Sequence, residues 1–454
     1  MKTKTTLILF IIFIGLLAFV YFFEVREKAE KETEEKLVDL SSDDVEKIIF
    51  KKKNEEITFQ KDGEDWLIIQ PLEAKADKYE VNRLADDFSQ LRMERVVEEQ
   101  PEDLTKYGIG TKEVSLFFKG REKPIKILVG EENPLDRTFF AKREDEKRVV
   151  LIPSHLKNLL EKSLFDFRMK DVFRFETDDV KGIRLRTNDL SWRAVKKKDD
   201  WLLKKPVEAL AESSRISDIL YSLSNLRAKE FVSEEKKQEE IKRYGLDRPD
   251  YEIILEMPLE NKEVTFCLKK IEDKLYATTS LSSKIIAAED SILKDLEKKP
   301  EELREKEVAD FYSWKVNRIH LRNADMDWTL IKDKQDNWHF EHPVKKDAAK
   351  DKVESFIRKI ESLEATEFVD PPLELKEYGL DHPQAYVKFW VEEDEEKARE
   401  IMVLIGKENK EEKKIVVKNA RFDYLFKVDS SFLEEFPKSL KDWMEENKED
   451  KKKK

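Results

Sequence analysis

The stretch Trp66-Leu67-Ile68-Ile69-Gln70-Pro71 decides the fold, because its Trp and its Pro, five residues apart, recur as a pair in two later parts of the chain. The later pairs are Trp201/Pro206 and Trp338/Pro343. A second mark, Tyr-Gly followed by Ile or Leu, comes after each pair and begins at Tyr107, Tyr244 and Tyr378. The Trp marks lie 135 and 137 residues apart, and the Tyr marks lie 137 and 134 residues apart. Two independent marks with one period indicate a domain that is repeated three times.

The composition fits a folded chain with a highly charged surface. Of 454 residues, 41% are charged and 39% are hydrophobic, and the net charge is −12. This length suits three domains of the usual size of about 100–150 residues. The acidic balance argues against a nucleic-acid partner, which would favour a basic stripe. Cys267 is the only cysteine, so the chain can form neither an internal disulfide nor a cysteine-based zinc site.

Each copy opens with three short runs of alternating polar and apolar residues, which predict an antiparallel meander. In the first copy these runs cover residues 45–50, 56–60 and 66–70, so the third strand begins at the Trp and ends before the Pro. Ten residues after each Pro, apolar residues recur at offsets 0, 3, 7 and 10, which predicts a helix with one apolar face. The stripes are Val81/Leu84/Phe88/Leu91, Ile216/Ile219/Leu223/Leu226 and Val353/Phe356/Ile360/Leu363. Four further strands and a short helix complete a β₃-α-β₄-α module.

The N-terminal residues predict attachment to a membrane. Residues 7–23 carry no charge, and with Thr5 and Thr6 the uncharged segment reaches nineteen residues, close to the roughly 20 that span a bilayer core. We expect residues 5–23 to form a single transmembrane signal anchor, with the N-terminus in the cytoplasm and the body outside the cytoplasmic membrane. A cleaved signal peptide is the alternative, but it would need a shorter apolar run and a small-residue cleavage site.

These patterns predict seven successive parts. They are a basic head (1–4), the anchor (5–23), a charged stalk (24–40), repeat modules at 41–175, 176–312 and 313–445, and a Lys-rich tail (446–454). The predicted fold is of the α+β class: a single transmembrane helix, then three tandem repeats. Each repeat is an antiparallel meander with a packed amphipathic helix and further strands.

The Trp-to-Pro hairpin, the helix and the turn Tyr-Gly-Leu-Asp-x-Pro, at residues 244–249 and 378–383, resemble a bacterial family, the domains of unknown function numbered 4340. The resemblance covers nearly all of residues 41–445 as three units, and the first copy departs from it at Ile109-Gly110-Thr111-Lys112. It implies a single-span envelope protein associated with ABC transporters of the gliding-motility auxiliary type. It implies no catalytic residues.

The repeated aromatic residues have two interpretations. A buried Trp that closes each hairpin on its helix needs no ligand, and repetition at fixed spacing favours this folding role. The alternative is an aromatic groove that stacks on sugar rings or peptide side chains. The candidate ligand or partner contacts are then Trp66, Trp201, Trp338, Tyr107, Tyr244 and Tyr378.

The sequence lacks the usual motifs for catalysis: a nucleophile elbow, a phosphate-binding P-loop and the zinc-protease pattern. His339-Phe340-Glu341-His342 resembles a metal cluster, but residues three apart on a strand point to opposite faces. We therefore predict no catalytic residue, no metal and no cofactor.

The predicted function is that of a non-enzymatic, membrane-anchored envelope protein that acts as an interaction scaffold or accessory subunit. Its predicted partner is an inner-membrane complex such as an ABC transporter, without nucleic acid. Two alternatives stay open. One is a module that binds glycan, lipid or peptide in clefts between the repeats, and the other is an envelope hydrolase. The oligomeric state is left open.

Overall fold

The computed structural model describes residues 35–258, 262–394 and 397–444, and its strands form three antiparallel sheets, one in each repeat. In the described residues each sheet has nine strands. The chain divides into two compact units, one ending at Lys170 and the other beginning at Asp171. The first sheet lies in the first unit, and the other two lie in the second.

The strands follow the same order in all three sheets. In module 1 they are β1 (Val45–Lys52), β2 (Glu55–Asp62), β3 (Asp65–Gln70), β4 (Ala74–Lys75), β5 (Arg95–Glu98), β6 (Lys112–Phe118), β7 (Ile125–Glu132), β8 (Phe139–Arg143) and β9 (Val149–Ile152). In module 2 they are β10 (Gly182–Thr187), β11 (Ser191–Lys197), β12 (Asp200–Lys205), β13 (Ala209–Ala211), β14 (Ala228–Ser233), β15 (Tyr251–Met257), β16 (Lys262–Ile271), β17 (Lys274–Thr279) and β18 (Ile285–Ala288). In module 3 they are β19 (Val316–Asn323), β20 (Asp327–Lys332), β21 (Trp338–His342), β22 (Lys346–Asp347), β23 (Glu367–Val369), β24 (Ala385–Asp394), β25 (Lys397–Asn409), β26 (Lys414–Asn419) and β27 (Leu425–Asp429). Each sheet runs from its fourth strand through the third, second, first, sixth, seventh, eighth and ninth to its fifth.

One helix of 12 residues in each module packs its apolar stripe against the sheet. In chain order the α-helices of the described residues are α1 (Lys78–Ser89), α2 (Lys157–Glu161), α3 (Leu164–Phe167), α4 (Ser213–Ser224), α5 (Gln238–Arg243), α6 (Leu293–Leu296), α7 (Lys350–Glu361) and α8 (Leu440–Trp443). Every residue of the three predicted stripes is buried. The last residue of each stripe lies just after its helix ends, so the apolar face extends into the following turn.

The Trp-to-Pro hairpin has the same form in each module. The third strands β3, β12 and β21 end at Gln70, Lys205 and His342, directly before the three prolines. Each of these prolines follows a cis peptide bond. Along β3 the side chains alternate, so Trp66 and Ile68 face the core while Leu67 and Ile69 do not.

In each module the predicted meander and the four further predicted strands belong to a single sheet. The first strand of each module pairs directly with the sixth, as β1 with β6, so all the strands join one sheet.

Two edge strands per module were missed. The edge strands β4, β13 and β22 have two or three residues, too few to show a two-residue period. At the other edge, β5 has no fully buried residue and pairs with β9, about fifty residues later in the chain.

The N-terminal transmembrane helix in the predicted fold class is not supported. Among the helices that the structure describes, none is long and apolar enough to cross a membrane. The predicted head, the anchor at residues 5–23 and the tail at 446–454 lie outside the described residues. The fold class is corrected to three nine-stranded antiparallel sheets, each with packed helices.

A few residues that precede each predicted module start are hydrogen-bonded to that module. The backbone N–H groups of Leu37, Val172 and Val308 each donate to a carbonyl just after the long helix of their own module. The acceptors are Leu91 at 2.8 Å, Leu226 at 3.0 Å and Leu363 at 2.9 Å. Leu37 is buried in the module 1 core and Val308 in the module 3 core. Residues 37–40 of the predicted stalk therefore contact module 1, and the module bounds stay a prediction.

Candidate functional site

The three repeated tryptophans lie inside the cores of their modules. Trp66, Trp201 and Trp338 are between 1% and 3% exposed. Trp66 Nε1 donates a hydrogen bond to Asn82 Oδ1 of α1 at 2.7 Å, which ties the hairpin to the helix. A ring without an exposed face cannot stack on a ligand, so this burial favours the folding role of these residues.

The three repeated tyrosines are half-buried and fasten a turn to the rest of their sheet. The Tyr107 hydroxyl donates to Glu98 Oε2 of β5 at 2.6 Å, and the Tyr244 hydroxyl donates to the Val232 carbonyl of β14 at 3.3 Å. Tyr378 packs against the small apolar cluster of Leu380, Val416 and Leu425. The glycine after each Tyr has a φ of 60° or 64°, a left-handed conformation that favours glycine. These contacts are structural, and ligand contact by the six aromatic residues stays a prediction.

Arg304 lies at the centre of the junction between modules 2 and 3. Arg304 is 1% exposed. Its Nη1 donates to Asp370 Oδ1 at 2.7 Å. The guanidinium carbon lies 3.8 Å from the ring centre of Phe368 and 4.3 Å from that of Tyr424. A cation that has left water is stabilised by such ring faces, and the other guanidinium nitrogens Nε and Nη2 have no hydrogen-bond acceptor among the described residues.

The backbone around Arg304 is hydrogen-bonded to both modules. On the module 2 side, Glu305 N donates to the Leu210 carbonyl at 2.9 Å. On the module 3 side, Val308 N donates to the Leu363 carbonyl at 2.9 Å, and Lys306 O accepts from Ala365 N at 2.8 Å. We call residues 304–308 the junction segment. Since it bonds to an element of each module, it is a shared strand-like connection rather than a free linker.

Apolar side chains also cross this junction. Ala209 of β13, in module 2, belongs to the buried core of module 3, and Val207 packs against the same core. Burial raises the pKa of the Tyr424 hydroxyl to about 12, because a phenolate would lose its hydration there. The residues at this junction thus pack together, and their arrangement is that of an interface.

No sequence pattern singles out Arg304. One arginine among 88 basic residues carries no pattern by itself. The signal lies in the repeat: Arg168 pairs with Ala76 in module 1 as Arg304 pairs with Ala211 in module 2, through the same type of isolated backbone bridge. The corresponding bridge of module 3 joins Ala348 to Met444. Two of the three module ends thus carry an arginine at the same place, and both arginines are buried in the structure.

A groove of about 850 Å³ lies within module 2. Its lining includes Tyr251, Leu190 and Pro300, with Glu297 among the carboxylates. The Tyr251 hydroxyl donates to Glu297 Oε1 at 2.9 Å. Burial and this carboxylate raise the pKa of Tyr251 to about 12. The volume falls within the range of roughly 300–1,000 Å³ that is usual for small-molecule sites.

A second groove, of about 900 Å³, lies beside His339 in module 3. His339 Nδ1 lies 2.7 Å from Asp347 Oδ1, and its Nε2 lies 2.9 Å from Asp333 Oδ2. Hydrogen bonds to these carboxylates raise the pKa of His339. A ring with both nitrogens held by carboxylates is stabilised in its charged form and has no free nitrogen to accept a substrate proton. In the described residues no group of three His, Cys, Asp or Glu side chains is arranged to hold a metal ion.

Comparisons with known proteins bear on the family and not on the site. A family model described as a domain of unknown function (DUF4340) matches residues 66–240, 201–374 and 338–449, and each match begins at one of the repeated tryptophans. The comparison with curated proteins gave no match.

The solved structures that are similar to this chain include DNA polymerase sliding clamps. One from Pseudomonas aeruginosa, with ligand, has 6% identity over 86% of this chain and 93% of that chain, with a TM-score of 0.15. One from Bartonella birtlesii has 8% identity over 86% and 92%, with a TM-score of 0.14. TM-scores this low carry no argument about fold or function. The family matches together span most of the sequence, and the chain therefore belongs to the DUF4340 family, with three copies of its domain in tandem.

Proposed function

We propose that this protein is a non-enzymatic interaction scaffold, whose repeated modules present surfaces to protein partners at the bacterial cell envelope. The observation that supports this most directly is the junction at Arg304. Domains joined in one chain usually move relative to each other unless their interface is large and apolar. A buried Arg304–Asp370 pair, together with Ala209 and Val207 of module 2 packed into the module 3 core, instead specifies one arrangement of modules 2 and 3. A scaffold requires surfaces that are held in a fixed relation.

The partner that we propose is an inner-membrane complex of the ABC transporter type, for which this protein is an accessory subunit. The support for this partner is the family resemblance, so it needs a direct test. The full-length protein would be crosslinked in intact cells, purified after mild solubilisation, and its companions identified by mass spectrometry. Recovery of a permease or an ATPase subunit is the expected result. Their absence from repeated preparations would count decisively against the accessory role.

The groove in module 2 favours a second candidate function, the binding of a glycan, lipid or peptide. This groove lies within one module, whereas the ligand sites predicted from the sequence are clefts between modules. Tyr251→Ala removes an aromatic side chain that lines the groove. Ser217→Ala, at an exposed position of α4, is the control. Ligand panels would be screened by thermal shift. A ligand that stabilises the wild type and the control, but not Tyr251→Ala, would support this function.

A further inference from the structure

Residues 312–315, which we call the aromatic turn, expose two stacked rings at the start of module 3. Tyr312 is 62% exposed and Trp314 is 69% exposed. Their ring centres lie 6.1 Å apart at an interplanar angle of 27°. Lys315 Nζ lies 5.9 Å from the Tyr312 ring centre and 5.2 Å from that of Trp314. Of the eight tryptophans, all of which lie in the described residues, Trp314 alone is exposed.

The other two modules show what this turn needs in order to fold. A 3₁₀ turn precedes the first strand of every module, at Ser42–Asp44, Thr177–Asp179 and Ser313–Lys315. The last two residues of the turn are Asp-Asp in modules 1 and 2 but Trp-Lys in module 3. The next residue is a fully buried Val in all three copies. Since the turn forms with two aspartates, folding does not require Trp314 or Lys315.

A lysine of the second strand reaches this turn in each copy, which confirms that the three turns are equivalent. Lys61 Nζ donates to the Asp43 carbonyl at 3.1 Å, and Lys196 Nζ lies 3.3 Å from Asp178 Oδ1. In module 3, Lys332 Nζ donates to the Trp314 carbonyl at 3.3 Å. The two variable positions therefore change from two negative charges to one positive charge and an aromatic ring, at the same place in the fold.

We propose that the aromatic turn is the docking surface for an acidic protein segment of the partner. This inference rests on the proposed scaffold function and names the chemistry of its contact. Exposed Trp and Tyr are enriched in the energetically important parts of protein interfaces. Among the described residues no carboxylate pairs with Lys315, whereas the neighbouring acidic groups are engaged: Glu361 Oε1 accepts from Ser313 N at 2.9 Å, and Asp310 Oδ2 lies 4.0 Å from Arg399 Nη1.

This arrangement selects a segment that places an apolar side chain against the rings and a carboxylate on Lys315. A short segment carries few negative charges, so a chain with a net charge of −12 repels it less than it repels an extended anionic surface such as a bilayer or a nucleic acid, and Lys315 supplies the local attraction.

The test uses the full-length protein in its own cells. Trp314→p-benzoylphenylalanine places a photocrosslinker on the aromatic turn. The matched controls place it at Tyr79, 83% exposed in module 1, and at Tyr221, 67% exposed in module 2. The crosslinked peptide is then sequenced by mass spectrometry. We expect capture from position 314 but not from the controls, at a segment with more Asp and Glu than Lys and Arg. Capture of a basic segment or of lipid would overturn the proposal.

A binding measurement then separates this inference from the scaffold function. The captured segment would be synthesised as a peptide, and its affinity measured for the wild type and for the double variant W314D/K315D, which gives module 3 the turn of modules 1 and 2. We expect affinity to fall about tenfold or more while the circular dichroism spectrum stays unchanged. If the partner still co-purifies with W314D/K315D in wild-type amounts, the inference fails and the scaffold function stands. If nothing co-purifies with the wild type, the scaffold function itself fails.

Discussion

Arg304 illustrates what a single residue contributes to this protein. Its guanidinium group has left water, and the cost of that transfer is offset only where Asp370, Phe368 and Tyr424 surround it. All three partners belong to module 3, whereas Arg304 ends module 2. The favourable contacts therefore exist only when the two modules are docked.

Arg304→Met is expected to lower the free energy of unfolding of the second unit by about 2–3 kcal/mol. Removing one partner of a buried pair typically costs about 3–5 kcal/mol, and Asp370 is one-third exposed, so water recovers part of that loss. Methionine is the matched replacement because Met444 occupies the same bridge in module 3. Urea unfolding followed by circular dichroism measures the change. Arg318→Met, which breaks the exposed Arg318–Glu341 pair, is the control and should cost under about 1 kcal/mol. Equal losses in the two variants would refute the role of Arg304.

His339 is expected to titrate above its ordinary pKa of 6.5, because Asp333 and Asp347 hold its charged form. A raised folded-state pKa means that the stabilisation is complete below about 6.5 and is lost as the pH rises through the folded value. NMR titration of the imidazole protons measures this pKa, and Asp333→Asn should lower it. The His339 resonance is assigned as the one that disappears in the variant His339→Leu. This variant should fold, since Leu67 and Leu202 occupy the same position in modules 1 and 2. A pKa at or below 6.5 in the wild type would contradict the geometry.

At the scale of the element, the long helix of each module is held by its stripe. Phe88→Ala on α1 is expected to cost about 3–5 kcal/mol in the unfolding of the first unit, because it leaves a cavity in a fully buried site. Tyr79→Ala on the same helix removes an exposed ring and should change stability by less than about 0.5 kcal/mol. Chemical denaturation measures the free energy of unfolding of both variants. Similar losses would mean that the helix is not anchored by this face.

The sequence predicted the elements whose pattern is local and missed those whose partners are distant. The hairpin strands and the helix stripes repeat over ten to twelve residues, so their periods can be read directly. The strand β4 has two residues, and β5 is recognisable only through its pairing with β9. Arg304 was missed for the same reason, because Asp370 and Tyr424 lie 66 and 120 residues later in the chain. The aromatic turn can be recognised only by comparing the sequences of the three copies.

At the scale of the whole molecule, the second unit is expected to fold without the first. A fragment of residues 171–454 contains modules 2 and 3 with their shared junction, since the compact unit begins at Asp171. It should unfold in one cooperative transition, because side chains of module 2 pack into the core of module 3 and Arg304 is buried between the two modules. A fragment of residues 171–306 exposes Val207 and Ala209 and should melt at a lower temperature. Calorimetry tests both fragments, and two separate transitions in the longer one would show that the modules are independent.

The junction segment also determines how this protein responds to mechanical force. A free linker between two domains extends under tension and absorbs movement before either domain responds. The junction segment is bonded to Leu210 on one side and to Leu363 and Ala365 on the other, so tension across it acts on hydrogen bonds and on the buried Arg304 at once. A force that displaces module 3 would therefore displace module 2 almost directly. A partner that changes shape while it is bound to one module would transmit that displacement to whatever is bound to the other.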